Sequence, residues 1–207
     1  MLLDARPTYG WLSEETQDDA MRLTKDRCFV IDPIDGTRSF MAGEKTWSHS
    51  IAVVENGQVI AGVVYLPATN VMYRAVRGAG AFVGDTRMQV QDVDHVDNAR
   101  ILANRAVMTS GNWLNGSAPG FDRHHRPSLA YRMAAVAEGK FDGMITLRPT
   151  WEWDVAAGVL MVEEAGGVVC DRMGNAVQFN NPTPQSKGLI ATTHRLRDQF
   201  LENLDRR

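Results

Sequence analysis

Residues 32–37 read Asp-Pro-Ile-Asp-Gly-Thr. Two carboxylates stand three residues apart where an apolar run ends, and the proline between them fixes the backbone. Gly36 lets the chain turn and, with Thr37, offers N–H groups that can hold a phosphate oxygen. Hard divalent cations take oxygen donors of this kind. A plain Asx-capped turn also uses aspartate, but it has no need of a second one followed by Gly-Thr. Ser13-Glu14-Glu15-Thr16 is weaker, because the same string is a common helix start; its weight depends on the other acids. The third string is Trp151-Glu152-Trp153-Asp154-Val155-Ala156-Ala157-Gly158. Asp154 is expected to open a helix there. Gly158 costs ~1 kcal/mol relative to alanine in a helix interior, which implies close approach to a neighbouring backbone and would seat Asp154 against the Asp32/Asp35 turn. Carboxylates and a hydroxyl, with no histidine or thiolate among them, favour magnesium over zinc. Such a site suits metal-assisted transfer of a phosphoryl group to water.

The elements that must position these groups follow from the pattern. Residues 27–32 read as a buried strand ending at Asp32-Pro33. Residues 48–54 and 58–66 read as strands joined by a hairpin whose turn contains Asn56-Gly57. Val71–Val76 is a further strand, and Gly78-Ala79-Gly80-Ala81 leads tightly into another, so the first half is an antiparallel meander. After residue 96 helix and strand alternate: strands at 101–103, 141–147, 168–170 and 188–193, helices at 128–138, 154–165 and 194–204. The fold class is α/β. Two lobes are expected, residues 1–95 and 96–207, split at the polar stretch Asp92, Asp94, Asp97, Asn98.

Composition narrows the classes of function. The chain has 207 residues, 44% hydrophobic, with a formal charge of −3. That supports a full core and lacks the basic footprint of a nucleic-acid binder. Cys28 and Cys170 lie in apolar runs and read as buried thiols. No apolar stretch is long enough to span a bilayer and no signal peptide is evident, so no membrane association and a cytoplasmic location are expected. His124-His125 reads as a solvated helix start rather than a shared metal site, since adjacent side chains on a helix diverge. Gly78-x-Gly80 lacks a third glycine and a surrounding βαβ unit, so it is no dinucleotide fingerprint.

With Glu14-Glu15-Thr16, Asp32–Thr37, Trp153–Gly158 and Glu164-Ala165-Gly166-Gly167 in this order, the sequence resembles the inositol monophosphatase family along essentially its whole length. The resemblance implies a layered αβαβα sandwich, the sugar-phosphatase fold, and two or three magnesium ions. It implies Glu14, Asp32, the Ile34 carbonyl, Asp35 and Asp154 as metal ligands. Glu14 and Thr37, with Asp35, would serve catalysis by orienting the attacking water, and the N–H groups of Gly36 and Thr37 would hold the phosphate. The string Pro149–Asp154 looks more like the 3'(2'),5'-bisphosphate nucleotidases of that family, with Trp151 as a wall for a base and Arg148 as the cation for a second phosphate. The lysine that often follows Ser-Leu in those enzymes is Ala130 here. An inositol monophosphatase would place a glutamate where this chain has Leu147, seven residues before Asp154. A fructose bisphosphatase would use the same carboxylate logic, and a truncated member would keep phosphate binding without turnover.

Family members usually carry some fifty or more residues before the Glu-Glu segment, folded as two long helices that supply a further acid. This chain has thirteen residues before Glu14, so that helix pair is expected to be missing. Both faces of the meander are apolar: Ile51 and Val53 against Ala52 and Val54, Val63 and Tyr65 against Gly62, Val64 and Leu66. A sheet apolar on both faces calls for cover on both. A homodimer or other oligomer, or a longer natural chain, is expected to provide it, and the short chain is expected to turn over weakly.

Overall fold

The computed structural model describes residues 1–206. A seven-stranded sheet carries the first half: β1 (Gly10–Ser13), β2 (Arg27–Asp35), β3 (Ser48–Glu55), β4 (Gln58–Leu66), β5 (Val71–Val76), β6 (Gly80–Val83) and β7 (Thr86–Arg87), adjacent in chain order. All pairings are antiparallel except β1 with β2, which is parallel. The short α1 (Leu2–Ala5) precedes this sheet and α2 (Thr37–Met41) follows β2. A second sheet is built from β8 (Arg100–Ala103), β9 (Asp122–His124), β10 (Gly143–Thr146), β12 (Val168–Cys170) and β14 (Leu189–Thr192), in the order β12-β14-β10-β8-β9. The small pair β11 (Thr150–Trp151) and β13 (Gln185–Ser186) stands apart. Three longer helices complete the chain: α3 (Leu129–Ala137), α4 (Glu152–Glu164) and α5 (His194–Asn203).

The layers are sheet, helix pair, sheet, helix. Helix α4 packs on β3, β4 and β5, with α3 beside it, and the main core takes side chains from the first sheet, both helices, and Leu102, Met144 and Leu189 of the second sheet. Across the second sheet, α5 closes a separate core around Trp113, Phe121, Ile145 and Phe200. Sandwiched between layers, α3 and α4 are buried on nearly all sides, as expected of helices with apolar contact all round. The expected close approach is present. A side chain at Gly158 would meet Met133 Cβ at 2.5 Å, and one at Gly62 would meet the Ala157 backbone at 3.0 Å.

Burial alternates along β3 and most of β4 and β5, whereas β2 is buried on both faces from Cys28 to Asp32. Ala52, Val54, Val64, Leu66 and Tyr73 are buried, whereas Ile51, Val53, Val63 and Tyr65 on the other face are only partly so, and Met72 and Val76 stay 48% and 53% exposed.

Several expectations need correction. The strand from Arg27 does not stop at Asp32-Pro33; it runs to Asp35 through a register shift between Asp32 and Asp35. Asp154 does not open its helix. That helix starts at Glu152 with Trp151 at the N-cap, so Asp154 is the third residue of the first turn. His124 ends strand β9 and pairs with Asp122 at 2.7 Å, and the next helix begins only at Leu129. The parallel strand β1 was not anticipated from its four residues. Both cysteines are buried free thiols. No helix among the described residues is long and apolar enough to cross a membrane.

Candidate metal centre

Strand β2 delivers Asp32 and Asp35 to one end of the first sheet, and α4 brings Asp154 across from its first turn. Each offers a carboxylate oxygen lying within 4.8 Å of the other two. Asp32 and Asp35 are 1% and 6% exposed. None of the three forms an ion pair among the described residues. The cost of this crowding appears in their protonation. Burial, then the charges of Asp35, Glu14 and Asp154, pushes Asp32 up to about 9. Burial and the charges of Asp35 and Glu14 push Asp154 up to about 8, with a hydrogen bond from Asp32 opposing. Asp35 is raised to about 6 by burial, held down by hydrogen bonds from Ser128, Ala130 and Leu129. Three carboxyls that resist ionising beside one another, with oxygen as the sole donor type, fit a hard divalent cation.

The supporting hydrogen bonds explain the geometry. Gly36 sits at φ 93°, a left-handed conformation that favours glycine. It turns the chain into α2 directly after Asp35. Asp32 Oδ1 accepts from the Ile34 N–H at 2.8 Å. Asp35 Oδ2 accepts from Ser128 Oγ at 2.6 Å and from the Ala130 N–H at 2.7 Å, so the first turn of α3 fixes its direction. Ser128 also caps that helix through the Tyr131 N–H and bonds Ser48 Oγ at 2.9 Å. Ser50, opposite Asp32 in the ladder, donates to the Trp153 carbonyl at 3.1 Å and so ties β3 to α4. Ser48, Ser50 and Ser128 were not singled out from the sequence. The available signal was Ser-x-Ser on the inward face of an otherwise apolar strand.

Of the remaining candidates, Glu14 and Thr37 lie beside this centre. Glu14 follows β1 in an exposed turn; it falls outside the 4.8 Å group, yet its charge reaches Asp32 and Asp154. Thr37 is exposed and donates its hydroxyl to the Ile34 carbonyl at 3.1 Å, leaving that oxygen a second lone pair. Trp151 is 41% exposed and lies flat on Trp153, with centroids 4.6 Å apart and planes at 9°. Arg148 is exposed, and its charge is felt by the buried Arg132. His125 bonds Arg132 Nη2 at 3.1 Å and takes no part in the carboxylate cluster.

Known proteins share this frame. The profile of the inositol monophosphatase family matches residues 2–206. The chain belongs to that family. It is, accordingly, a phosphoric monoester hydrolase of a generally metal-dependent kind. It is 35% identical over 187 residues to an inositol-1-monophosphatase of Rhizobium meliloti, an alignment covering 84% of this chain and 67% of the relative. A fructose-1,6-bisphosphatase/inositol-1-monophosphatase of Thermotoga maritima is 37% identical over 174 residues, covering 80% of this chain and 65% of the relative. The solved Thermotoga maritima IMPase superposes with a TM-score of 0.82 at 32% identity, over 97% of this chain and 76% of that one. The family fold is the layered sugar-phosphatase sandwich that the strings of motifs implied.

Proposed function

We propose that Asp32, Asp35 and Asp154, with Glu14 and the Ile34 carbonyl, hold two or three magnesium ions, and that the chain hydrolyses a small phosphate monoester beside them. Bound magnesium supplies positive charge to the phosphoryl oxygens and acidity to the attacking water. The chain's own part is orientation and proton handling. Asp35, locked by Ser128 and the α3 N–H groups, offers its free oxygen in one direction. The Thr37 hydroxyl, already held by the Ile34 carbonyl, accepts a hydrogen bond from the water and orients it, and the Glu14 carboxylate on the open rim takes its proton. The water oxygen bonds to phosphorus as the ester P–O bond breaks, and the proton taken up passes through solvent to the departing oxygen, releasing the alcohol and inorganic phosphate. Gly36 and Thr37 N–H groups receive phosphate oxygens as charge shifts.

The observation that carries this reading is the trio of carboxylates packed within 4.8 Å, none of them in an ion pair among the described residues, with the buried Arg132 easing Asp35 from a distance. For the substrate, the exposed face of Trp151, stiffened by Trp153 beneath it, supports a flat base, and Arg148 supports a second phosphate. A 3'(2'),5'-bisphosphate nucleotide is therefore the preferred substrate. Inositol monophosphate is the second reading, favoured by the name of the Rhizobium meliloti relative. The experiment is phosphate release from adenosine 3',5'-bisphosphate, inositol 1-phosphate and fructose 1,6-bisphosphate, with magnesium and with chelator. The proposal expects magnesium-dependent release, fastest from the nucleotide. Much faster turnover of inositol 1-phosphate overturns the substrate preference, and phosphate binding without release from any of the three overturns the catalytic reading.

A further inference from the structure

A second cluster of buried charge lies on the opposite side of the first turn of α4. Residues two apart on a helix do not share a face, so Glu152 points away from Asp154. Glu152 is 1% exposed. Its carboxylate accepts from the Asn180 N–H at 2.6 Å, the Asn181 N–H at 3.1 Å and Asn181 Nδ2 at 2.7 Å. On the other side of the same two asparagines stands Arg22, 2% exposed. Its Nη1 donates to Asn180 Oδ1 at 2.7 Å and its Nη2 to the Asn181 carbonyl at 2.8 Å, while Asp18 receives Nε at 2.7 Å and Nη2 at 3.0 Å. Arg22 belongs to the segment that leaves β1 after the Glu14 turn. It packs so tightly against that strand that a side chain on Gly10 would meet its Cβ at 2.9 Å. The α4 N-terminus has no side-chain cap of its own. It is anchored to the 180–186 segment instead, through Glu152, through the Glu152 N–H to the Pro184 carbonyl at 3.0 Å, and through the β11–β13 pair.

We propose that Asn181 is a positioning residue for the metal centre, fixing the span between the turn that carries Glu14 and the helix start that carries Asp154. The proposal rests on the magnesium reading above. Partners one layer behind a metal's ligands cost about 10–100-fold in affinity or activity when removed, because the ligands lose their alignment rather than their chemistry. Deleting the Asn181 amide removes its bonds to Glu152 Oε1 and to the Gln178 carbonyl and leaves the backbone bonds to Glu152 and from Arg22 in place, so alignment slackens while the fold persists.

The experiment measures magnesium binding by calorimetry without substrate, then kcat and KM at saturating magnesium, for wild type, Asn181→Ala, Glu152→Gln and Asp35→Asn. Asn181→Ala should bind magnesium about tenfold more weakly and lose kcat with KM unchanged. Glu152→Gln keeps the volume of the buried side chain, should move the same way, and carries the test if Asn181→Ala does not fold. A folded variant with lowered melting temperature but wild-type magnesium affinity and kcat overturns the proposal, as does a change confined to KM. Asp35→Asn separates the two levels. If it binds magnesium like the wild type, the metal reading itself fails; if it loses binding while Asn181→Ala retains it, only the positioning role fails.

Discussion

Two acidic groups share the first turn of α4, Glu152 buried and Asp154 half-buried, and live in opposite circumstances. Glu152 accepts three hydrogen bonds and feels Arg22 beyond Asn181, so the upward push of burial on its carboxyl is opposed from every side. Asp154 faces Asp35 and Glu14, whose charges add to burial in making its ionisation harder, and only a hydrogen bond from Asp32 and one from the Trp151 backbone oppose them. A buried charge with its hydrogen bonds complete belongs to the scaffold; a buried cluster of like charges calls for a cation from outside. The contrast separates the part of this turn that holds the protein together from the part proposed to do the chemistry.

Breaking the chemical side should have the largest effect. Asp35→Asn, near-isosteric, is expected to lower phosphate release about a thousandfold, roughly 4 kcal/mol of barrier, with little loss of stability in the metal-free state; steady-state assays and urea unfolding would report the two separately. Breaking the scaffold side should do the reverse in stability. Glu152→Ala leaves the half-buried N–H groups of Asn180 and Asn181 without their acceptor, takes one of two partners from Asn181 Nδ2 and opens a hole at a buried position, and a loss of about 3 kcal/mol in unfolding free energy is expected from urea titration. A loss under 0.5 kcal/mol would mean that the Glu152 cluster holds nothing in place.

Solution pH sharpens the contrast further. The folded values of Asp35, Asp154 and Asp32, about 6, 8 and 9, lie above the ordinary value of 3.8. The folded state therefore holds protons more tightly than the unfolded chain. That contribution to stability is complete below about pH 4 and is lost as pH rises to about 9. Metal-free protein should melt at progressively lower temperature from pH 5 to pH 9. Magnesium at a hundredfold excess over Kd should restore about 2.7 kcal/mol, with the gap between the two melting curves widening as pH rises. The smallest effect belongs to the rim. Trp151→Ala should raise KM for adenosine 3',5'-bisphosphate about fivefold, roughly 1 kcal/mol of stacking, and leave inositol 1-phosphate unaffected.

Local chemistry made the chemical side legible in the sequence. Asp32-Pro33-Ile34-Asp35-Gly36-Thr37 declares a turn with two acids and a left-handed glycine in six consecutive residues, and the Ala-Ala-Gly after Asp154 declares close packing. The hairpin at Asn56-Gly57 and the strands on either side were equally local, with the first strand one residue longer than read and the second as read. The scaffold side was not legible. Arg22 and Asn181 are 159 residues apart in sequence, and neither has a neighbour that marks it; their meeting is a consequence of the tertiary fold. Strand β1 was missed for the same reason, since Gly-Trp-Leu-Ser is a strand only because β2 lies alongside. Asp154 was placed at the helix cap because aspartate favours that position, but the pairing of Thr150-Trp151 with Gln185-Ser186 starts the helix at Glu152 and leaves Asp154 free to face the other carboxylates.

Three crowded carboxylates held ready for a divalent cation should exchange protons for that cation. Titrating magnesium into metal-free protein at pH 7, in two buffers of different ionisation enthalpy, addresses it most directly, because a cation entering partly protonated carboxyls must displace their protons. Saturable binding with net proton release is expected in the wild type, and neither in Asp35→Asn. Binding of equal strength in both proteins, or no heat in either, would contradict it.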